Sequence, residues 1–175
     1  MAAARRETAP AGNGTQTRSF TPSSLRRLTS TTNPESGLAG YTYDGNGNAV
    51  TRTDARSIAT TLTYDSLNRP LTKSYSDGTP NVSYCYDAPP ASGQTCPTSA
   101  LTGFRGRLTQ SKSSNSVTQY TSFDDFGRVL QSQQITGATY PLSYTYDVAG
   151  NLTSETVPSS RVVNYSYDDM SRTTP

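Results

Sequence analysis

Tyr144-Thr145-Tyr146-Asp147-Val148-Ala149-Gly150-Asn151-Leu152-Thr153 is the stretch whose reading decides the fold. Its two rings stand two residues apart, so on an extended strand both point to one face while Thr145 points to the other. Tyr and Thr also favour strands. Asp147 ends the strand, because its carboxylate can accept hydrogen bonds from backbone N–H groups two residues ahead and so open a turn. Gly150 follows where a left-handed backbone is needed. Leu152-Thr153-Ser154 then alternates apolar and polar, as a returning strand does. The ten residues therefore predict a β-hairpin.

Working outward, the same order recurs at Tyr41-Thr42-Tyr43-Asp44, Leu62-Thr63-Tyr64-Asp65, Tyr84-Cys85-Tyr86-Asp87 and Tyr165-Ser166-Tyr167-Asp168. A further copy, Tyr120-Thr121-Ser122-Phe123-Asp124, carries Phe in the aromatic slot. The aspartates are spaced by 21, 22, 37, 23 and 21 residues, a period that identifies a tandem array. Three residues beyond each aspartate of a short copy stands Gly47, Asn68, Gly127, Gly150 or Ser171, and then Asn48, Arg69, Arg128, Asn151 or Arg172. One hairpin is marginal in water, so the copies must pair side by side into a continuing sheet. The long interval holds an insertion over 88–105, rich in Pro, Gly and Ser, after which Gly106-Arg107-Leu108-Thr109 resumes the return strand.

Residues 1–36 show no apolar period and carry five arginines against two glutamates. They are expected to be a disordered Arg/Thr/Ser/Pro-rich lead-in, with 37–175 forming the array of about six copies. The last copy stops at Thr173-Thr174-Pro175, where its return strand should begin, so it is expected to be truncated and the chain to be a fragment.

Leu, Ile, Val and Phe make up only 25 of the 175 residues, whereas Ser and Thr supply 52, so an ordinary aliphatic core is missing. Twelve tyrosines argue against simple disorder and are expected to do much of the packing. The formal charge is +2 for the whole chain and about −1 beyond residue 36, which gives nucleic acid no electrostatic footing. There is no histidine, which excludes His-based triads, His zinc sites and His proton shuttles. No stretch has the ~20 apolar residues of a membrane span, and Met1-Ala2-Ala3-Ala4-Arg5-Arg6-Glu7 shows no signal-peptide core. Cys85 and Cys96, with ten residues between them, leave two readings open: a disulfide clamping the inserted loop in an oxidising compartment, or a small strand residue beside a loop thiol.

Asp124 and Asp125 are adjacent, but adjacent residues point apart, and turn capping explains Asp124 without paired-carboxylate catalysis. One carboxylate per turn falls short of a calcium site. Lys73 and Lys112 stand in no Ser-x-x-Lys arrangement, so serine chemistry lacks a base. The chain is expected to be no enzyme and to need no cofactor or metal. Its structural motif residues are Tyr41, Tyr43, Asp44, Gly47, Tyr64, Asp65, Tyr84, Tyr86, Asp87, Phe123, Asp124, Gly127, Arg128, Tyr144, Tyr146, Asp147, Gly150, Tyr165, Tyr167 and Asp168.

The pattern Tyr-x-Tyr-Asp-x-x-Gly-Arg/Asn-Leu-Thr over residues 41–172 resembles the tyrosine-aspartate (YD) repeats of Rhs proteins, wall-associated bacterial proteins, insecticidal toxin-complex shells and teneurins. That resemblance implies an all-β fold, tandem hairpins forming a curved, open sheet as a segment of a spiral β-shell. It implies as partners the remainder of a larger shell and an enclosed C-terminal toxin, with a secreted or cell-surface setting and a part in intercellular competition. The family's shell is not itself the enzyme, and its core-closing region is marked by Asp-Pro and glycine-rich motifs. This sequence holds no Asp-Pro and no Gly-Gly pair, so self-cleavage is carried to no residue here. The alternative function is a cell-surface carbohydrate-binding module in which exposed tyrosines stack on glycans, although cross-strand packing accounts for their regular placement.

Overall fold

A computed structural model describes residues 5–11, 14–87 and 104–174. Two compact units divide the chain, Met1–Asn81 and Val82–Pro175. The first holds β1 (Arg5–Ala11), β2 (Gly14–Pro22), β3 (Leu28–Asn33), β4 (Gly37–Tyr43), β5 (Ala49–Thr53), β6 (Ala59–Tyr64) and β7 (Pro70–Tyr75). The second holds β8 (Val82–Tyr86), β9 (Leu108–Lys112), β10 (Val117–Phe123), β11 (Val129–Thr136), β12 (Ala138–Tyr146), β13 (Leu152–Thr156) and β14 (Val162–Asn164), then β15 (Ser166–Tyr167) and β16 (Thr173–Thr174). Within each unit the strands pair antiparallel with their neighbours in the chain, except that β15 and β16 make a separate two-stranded ladder. The fold is all-β, as the hairpin pattern requires.

The alternation works as the spacing predicts. Tyr41 and Tyr43 are half-buried with Thr42 exposed between them, and Tyr144, Thr145 and Tyr146 repeat that order. On the exposed face, threonines pair across the strands: Thr42 and Thr51 hydroxyls lie 2.6 Å apart, as do those of Thr63 and Thr72. At the second aromatic of each motif the register slips, between Thr42 and Tyr43, Thr63 and Tyr64, Cys85 and Tyr86, and Thr145 and Tyr146. This β-bulge follows from the turn type, a three-residue loop whose last residue is left-handed.

Burial is thin. Among the described residues only Ala39, Cys85 and Phe104 are buried apolar side chains, joined by Thr31, Thr109, Gln110 and Ser132. A layered core is replaced by ties that run along the sheet.

The expectation of a disordered residue 1–36 segment is corrected: 5–11, 14–22 and 28–33 are strands. Phe20-Thr21-Pro22-Ser23-Ser24-Leu25-Arg26-Arg27-Leu28-Thr29 is a degenerate copy of the repeat, hidden because Pro22, Ser23 and Arg26 replace the second aromatic, the aspartate and the glycine. Ser23 N donates to Arg27 O at 2.7 Å, Arg26 takes φ of 60°, and the register slips between Thr21 and Pro22, so the turn survives the changed letters. At the other end, Thr173 pairs with Tyr167, so the final copy does start its return strand.

Candidate functional site

The recurring residues gather at the motif turns. In each short copy the aspartate N–H donates to the carbonyl four residues on, at 3.0 Å for Asp44, Asp65, Asp124, Asp147 and Asp168. The residue three positions on, Gly47, Asn68, Gly127, Gly150 or Ser171, donates back to the aspartate carbonyl and has φ between 58° and 95°. One carboxylate oxygen accepts the N–H of the fourth residue, at 2.8 Å for Asn48, Arg128 and Asn151, 2.9 Å for Arg69 and 3.0 Å for Arg172. The other oxygen accepts that residue's side chain: the Asn48 and Asn151 amides at 2.8 Å, and the Arg69 and Arg172 Nε at 2.7 Å.

These bonds tune the carboxylates. The Asn48 amide holds Asp44 below the ordinary aspartate range, the Asn151 amide does the same for Asp147, and the Arg172 side chain for Asp168. At Asp65 and Asp124 desolvation pushes upward, and the hydrogen bonds from Arg69 and Arg128 outweigh it to leave both lowered. Both oxygens of every such carboxylate are engaged by its own turn, which suits a structural pin. Among the described residues Asp125 takes part in none of these turn bonds.

The copy that carries the insertion keeps the closing bond of the turn and reroutes the other two, with Asp87 itself at φ 61°. Asp87 N donates to Arg107 O and Arg107 N to Phe104 O, each at 3.0 Å, while Gly106 N donates to the Asp87 carboxylate. Phe104, only 3% exposed, meets Phe123 edge to face at 5.0 Å. Cys85 is likewise 3% exposed and its sulfur is in a disulfide; Cys96 lies outside the described residues.

A second set of contacts links one repeat to the next. Arg27 Nη1 donates to Asp44 O, and its guanidinium lies 5.6 Å from the Tyr43 ring centre. Arg107 does the same to Gly127 O and Phe123, at 2.9 Å and 5.4 Å, and Arg128 to Asp147 O and Tyr146, at 2.8 Å and 4.8 Å. The arginine closing one turn thus grips the following turn and stacks on its aromatic residue, a contact worth ~0.5–2 kcal/mol. Where asparagine replaces arginine, the tie becomes Asn48 to Asn68 at 2.8 Å and Asn151 to Ser171 at 3.2 Å. Tyrosine adds a backward tie: Tyr43 donates to Leu28 O at 2.8 Å and Tyr64 to Ala49 O at 2.9 Å. Burial raises the Tyr146 hydroxyl above its ordinary range, partly offset by Arg128.

Some of the network was hidden from the sequence. Gln133 donates to Gln119, Gln119 to Gln110 at 2.7 Å, and Gln110 to the Cys85 sulfur at 3.8 Å, an amide ladder over β8 to β11. The glutamines are separated in the chain and only the strand register aligns them, so no local pattern announces them.

The model of the family described as RHS Repeat matches residues 43–80 and 123–162, so the chain is similar to that family over these two segments. No curated protein matches the chain. Among solved structures, the TcdB2-TccC3-Cdc42 crystal structure aligns with a TM-score of 0.68 at 12% identity, over 95% of this chain and 11% of that one. TcdB2-TccC3 without its hypervariable C-terminal region gives 0.68 at 12%, over 96% and 10%. The Photorhabdus luminescens Tc holotoxin pore, with a substituted TccC3, gives 0.53 at 15%, over 96% and 10%. At these identities the likeness establishes the shared fold, and the chain spans about a tenth of the length of those chains.

Proposed function

We propose that this chain is a non-enzymatic wall segment of a larger RHS-repeat shell, and that the parent protein encloses a toxin or acts at the cell surface in competition between cells. The observation that carries this reading is the arginine and tyrosine ties, which join successive hairpins within each unit. Such nearest-neighbour coupling lets a wall extend by repetition. The motif residues serve as pins of that wall: aspartates hold the turns, glycines admit the left-handed step, and the rings fill the covered face. Cys85 and Cys96 are proposed to clamp the inserted loop in an oxidising setting. The partners are further repeats of the same shell and its cargo.

An antibody raised against residues 41–172 tests this in the source cells. The expected band is far heavier than 18.8 kDa, and limited proteolysis of that product should leave an enclosed C-terminal fragment protected. A sole product near 18.8 kDa would sink containment. Glycan-array binding that is lost in a folded Tyr144→Ala variant would support the carbohydrate-binding module in its place.

A further inference from the structure

Two turns on the side opposite the motif turns are built alike but enclose different space. In the first unit, β4 stays paired with β5 up to Gly40 and Thr53, and the turn Asp54–Ile58 follows, with Asp54 N to Ile58 O at 3.0 Å and Ser57 at φ 63°. In the second unit, β12 stays paired with β13 up to Ser143 and Thr156, and Val157–Arg161 follows with the same bond at 3.0 Å and Ser160 at φ 63°. Three residues before Gly40 stands Gly37, and three before Ser143 stands Tyr140; two after Thr53 stands Ala55, and two after Thr156 stands Pro158. A Cβ placed on Gly37 would come within 2.6 Å of the Ala55 Cβ, so in the first unit the turn closes against the strand. Tyr140 and Pro158 are too large for that approach. In the second unit a groove of about 350 Å³ opens there, lined by Pro141, Leu142 and Pro158 together with Gln131, Gln133 and Ser143.

Along this groove β12 has a bare edge. Thr139, Tyr140, Pro141 and Leu142 pair with β11 on one side, through Ile135, Gln134, Gln133 and Ser132. Among the described residues no strand pairs with their other side, since the ladder to β13 ends at Ser143. Every second residue of such a strand turns its C=O outward together with its N–H, Pro141 having a C=O alone. Ala138 to Pro141 are exposed. The groove lining carries no charged residue. Nor does it contain an aromatic ring, which a sugar would use as a stacking surface.

We propose that this groove receives an extended, uncharged polypeptide strand, which adds to the bare half of β12 by main-chain hydrogen bonds and sets alternate side chains against Leu142 and Pro158. Strand addition to a free edge draws affinity from the backbone and selectivity from alternate pockets. A lining without charge favours a neutral segment over an acidic or basic one, because an unpaired charge would lose solvation without gaining a partner.

The test uses the full chain and a fluorescein-labelled hexapeptide, acetyl-Ser-Val-Thr-Val-Ser-Val-amide, read by fluorescence anisotropy. Two isomers of that peptide are N-methylated on alternate residues, so that each lacks the N–H groups along one edge. Saturable binding is expected for the parent peptide, with one isomer equal to it and the other weaker by about tenfold or more. The double variant Tyr140→Gly with Pro158→Ala, which re-creates the closed arrangement of the first unit, should weaken the parent peptide by about as much. Leu142→Arg, which places a charge in the groove without touching the backbone, should do the same and covers the case where the double variant fails to fold. Absence of parent binding, equal binding of both isomers, or displacement of the peptide by a neutral glucan hexasaccharide would overturn the proposal.

Discussion

Tyr64→Phe removes one oxygen and nothing else. The ring stays and the packing of the half-buried side chain is unchanged, but the 2.9 Å bond to Ala49 O is lost. A neutral hydrogen bond contributes about 1 kcal/mol net. With a urea dependence of about 2 kcal/mol per molar, the midpoint should fall by roughly 0.5 M. Tyr43→Phe, which breaks the 2.8 Å bond to Leu28 O, should cost the same. The two bonds sit in successive hairpins, 21 positions apart, and share no partner, so the double variant should lose about 2 kcal/mol. Tyr41→Phe is the control. Its hydroxyl makes no hydrogen bond among the described residues, and its removal should change stability by less than ~0.5 kcal/mol, as for a surface substitution. Urea titrations followed by far-UV circular dichroism and by tyrosine fluorescence measure all four proteins. The reasoning fails if Tyr41→Phe costs as much as Tyr64→Phe, or if Tyr64→Phe leaves the midpoint where it was. The first result would mean that losing a hydroxyl costs energy whether or not it makes the backward tie, and the second that the rings act through packing alone.

Other consequences can be measured with the same protein. Ser57 and Ser160 each hold a left-handed φ of 63°, so Ser57→Gly and Ser160→Gly should each relieve strain and stabilise by a few tenths to ~1 kcal/mol in thermal melts. Gly127→Ala should do the reverse by more than ~1 kcal/mol, because φ there is 87° and the new methyl would strike the Arg107 guanidinium. The lowered values of Asp44, Asp65, Asp124, Asp147 and Asp168 mean that the folded state binds fewer protons than the unfolded one below about pH 4. Their contribution is complete above that pH and drains as pH falls through the folded values, so melting temperature should drop between pH 5 and pH 2, less steeply in Asp65→Asn; a flat profile would contradict the pins. Under non-reducing conditions, alkylation followed by mass spectrometry should find a Cys85–Cys96 linked peptide, and two alkylated thiols would exclude the clamp.

The hairpin itself could be read from Tyr144 to Thr153 because every signal in it is local: ring spacing, aspartate, glycine and return strand lie within ten residues. The copy at Ser23 was missed for the complementary reason. Three of its marker positions are substituted, yet Ser23 Oγ accepts the Arg27 N–H at 3.2 Å, as the aspartate carboxylates do in their own turns. The turn geometry demands an acceptor at that site and tolerates several. The left-handed step is equally permissive, since Arg26, Asn68 and Ser171 adopt it without glycine. A motif search reads letters, while the fold selects hydrogen-bonding capacity at fixed positions.

The long-range ties were out of reach on other grounds. Arg128 looks, in sequence, like a partner for Asp124, and it is one, through Nε; its Nη1 serves Asp147 O and its plane serves Tyr146. A planar guanidinium with several N–H groups can hold its own turn, reach the backbone of the next and stack on its ring in one side chain, which explains why the position after the left-handed residue is so often arginine. Asparagine can complete its own turn and reach one neighbouring side chain, but it cannot stack on the ring. The sheet is therefore tied unevenly along its length. Under partial denaturation the first separation should come where asparagine stands in for arginine, at the Asn48 and Asn151 steps, since there amide bonds alone, from Asn48 and Asn46 to Asn68 at 2.8 Å and 3.1 Å and from Asn151 to Ser171 at 3.2 Å, replace a carbonyl bond and a stacking contact together.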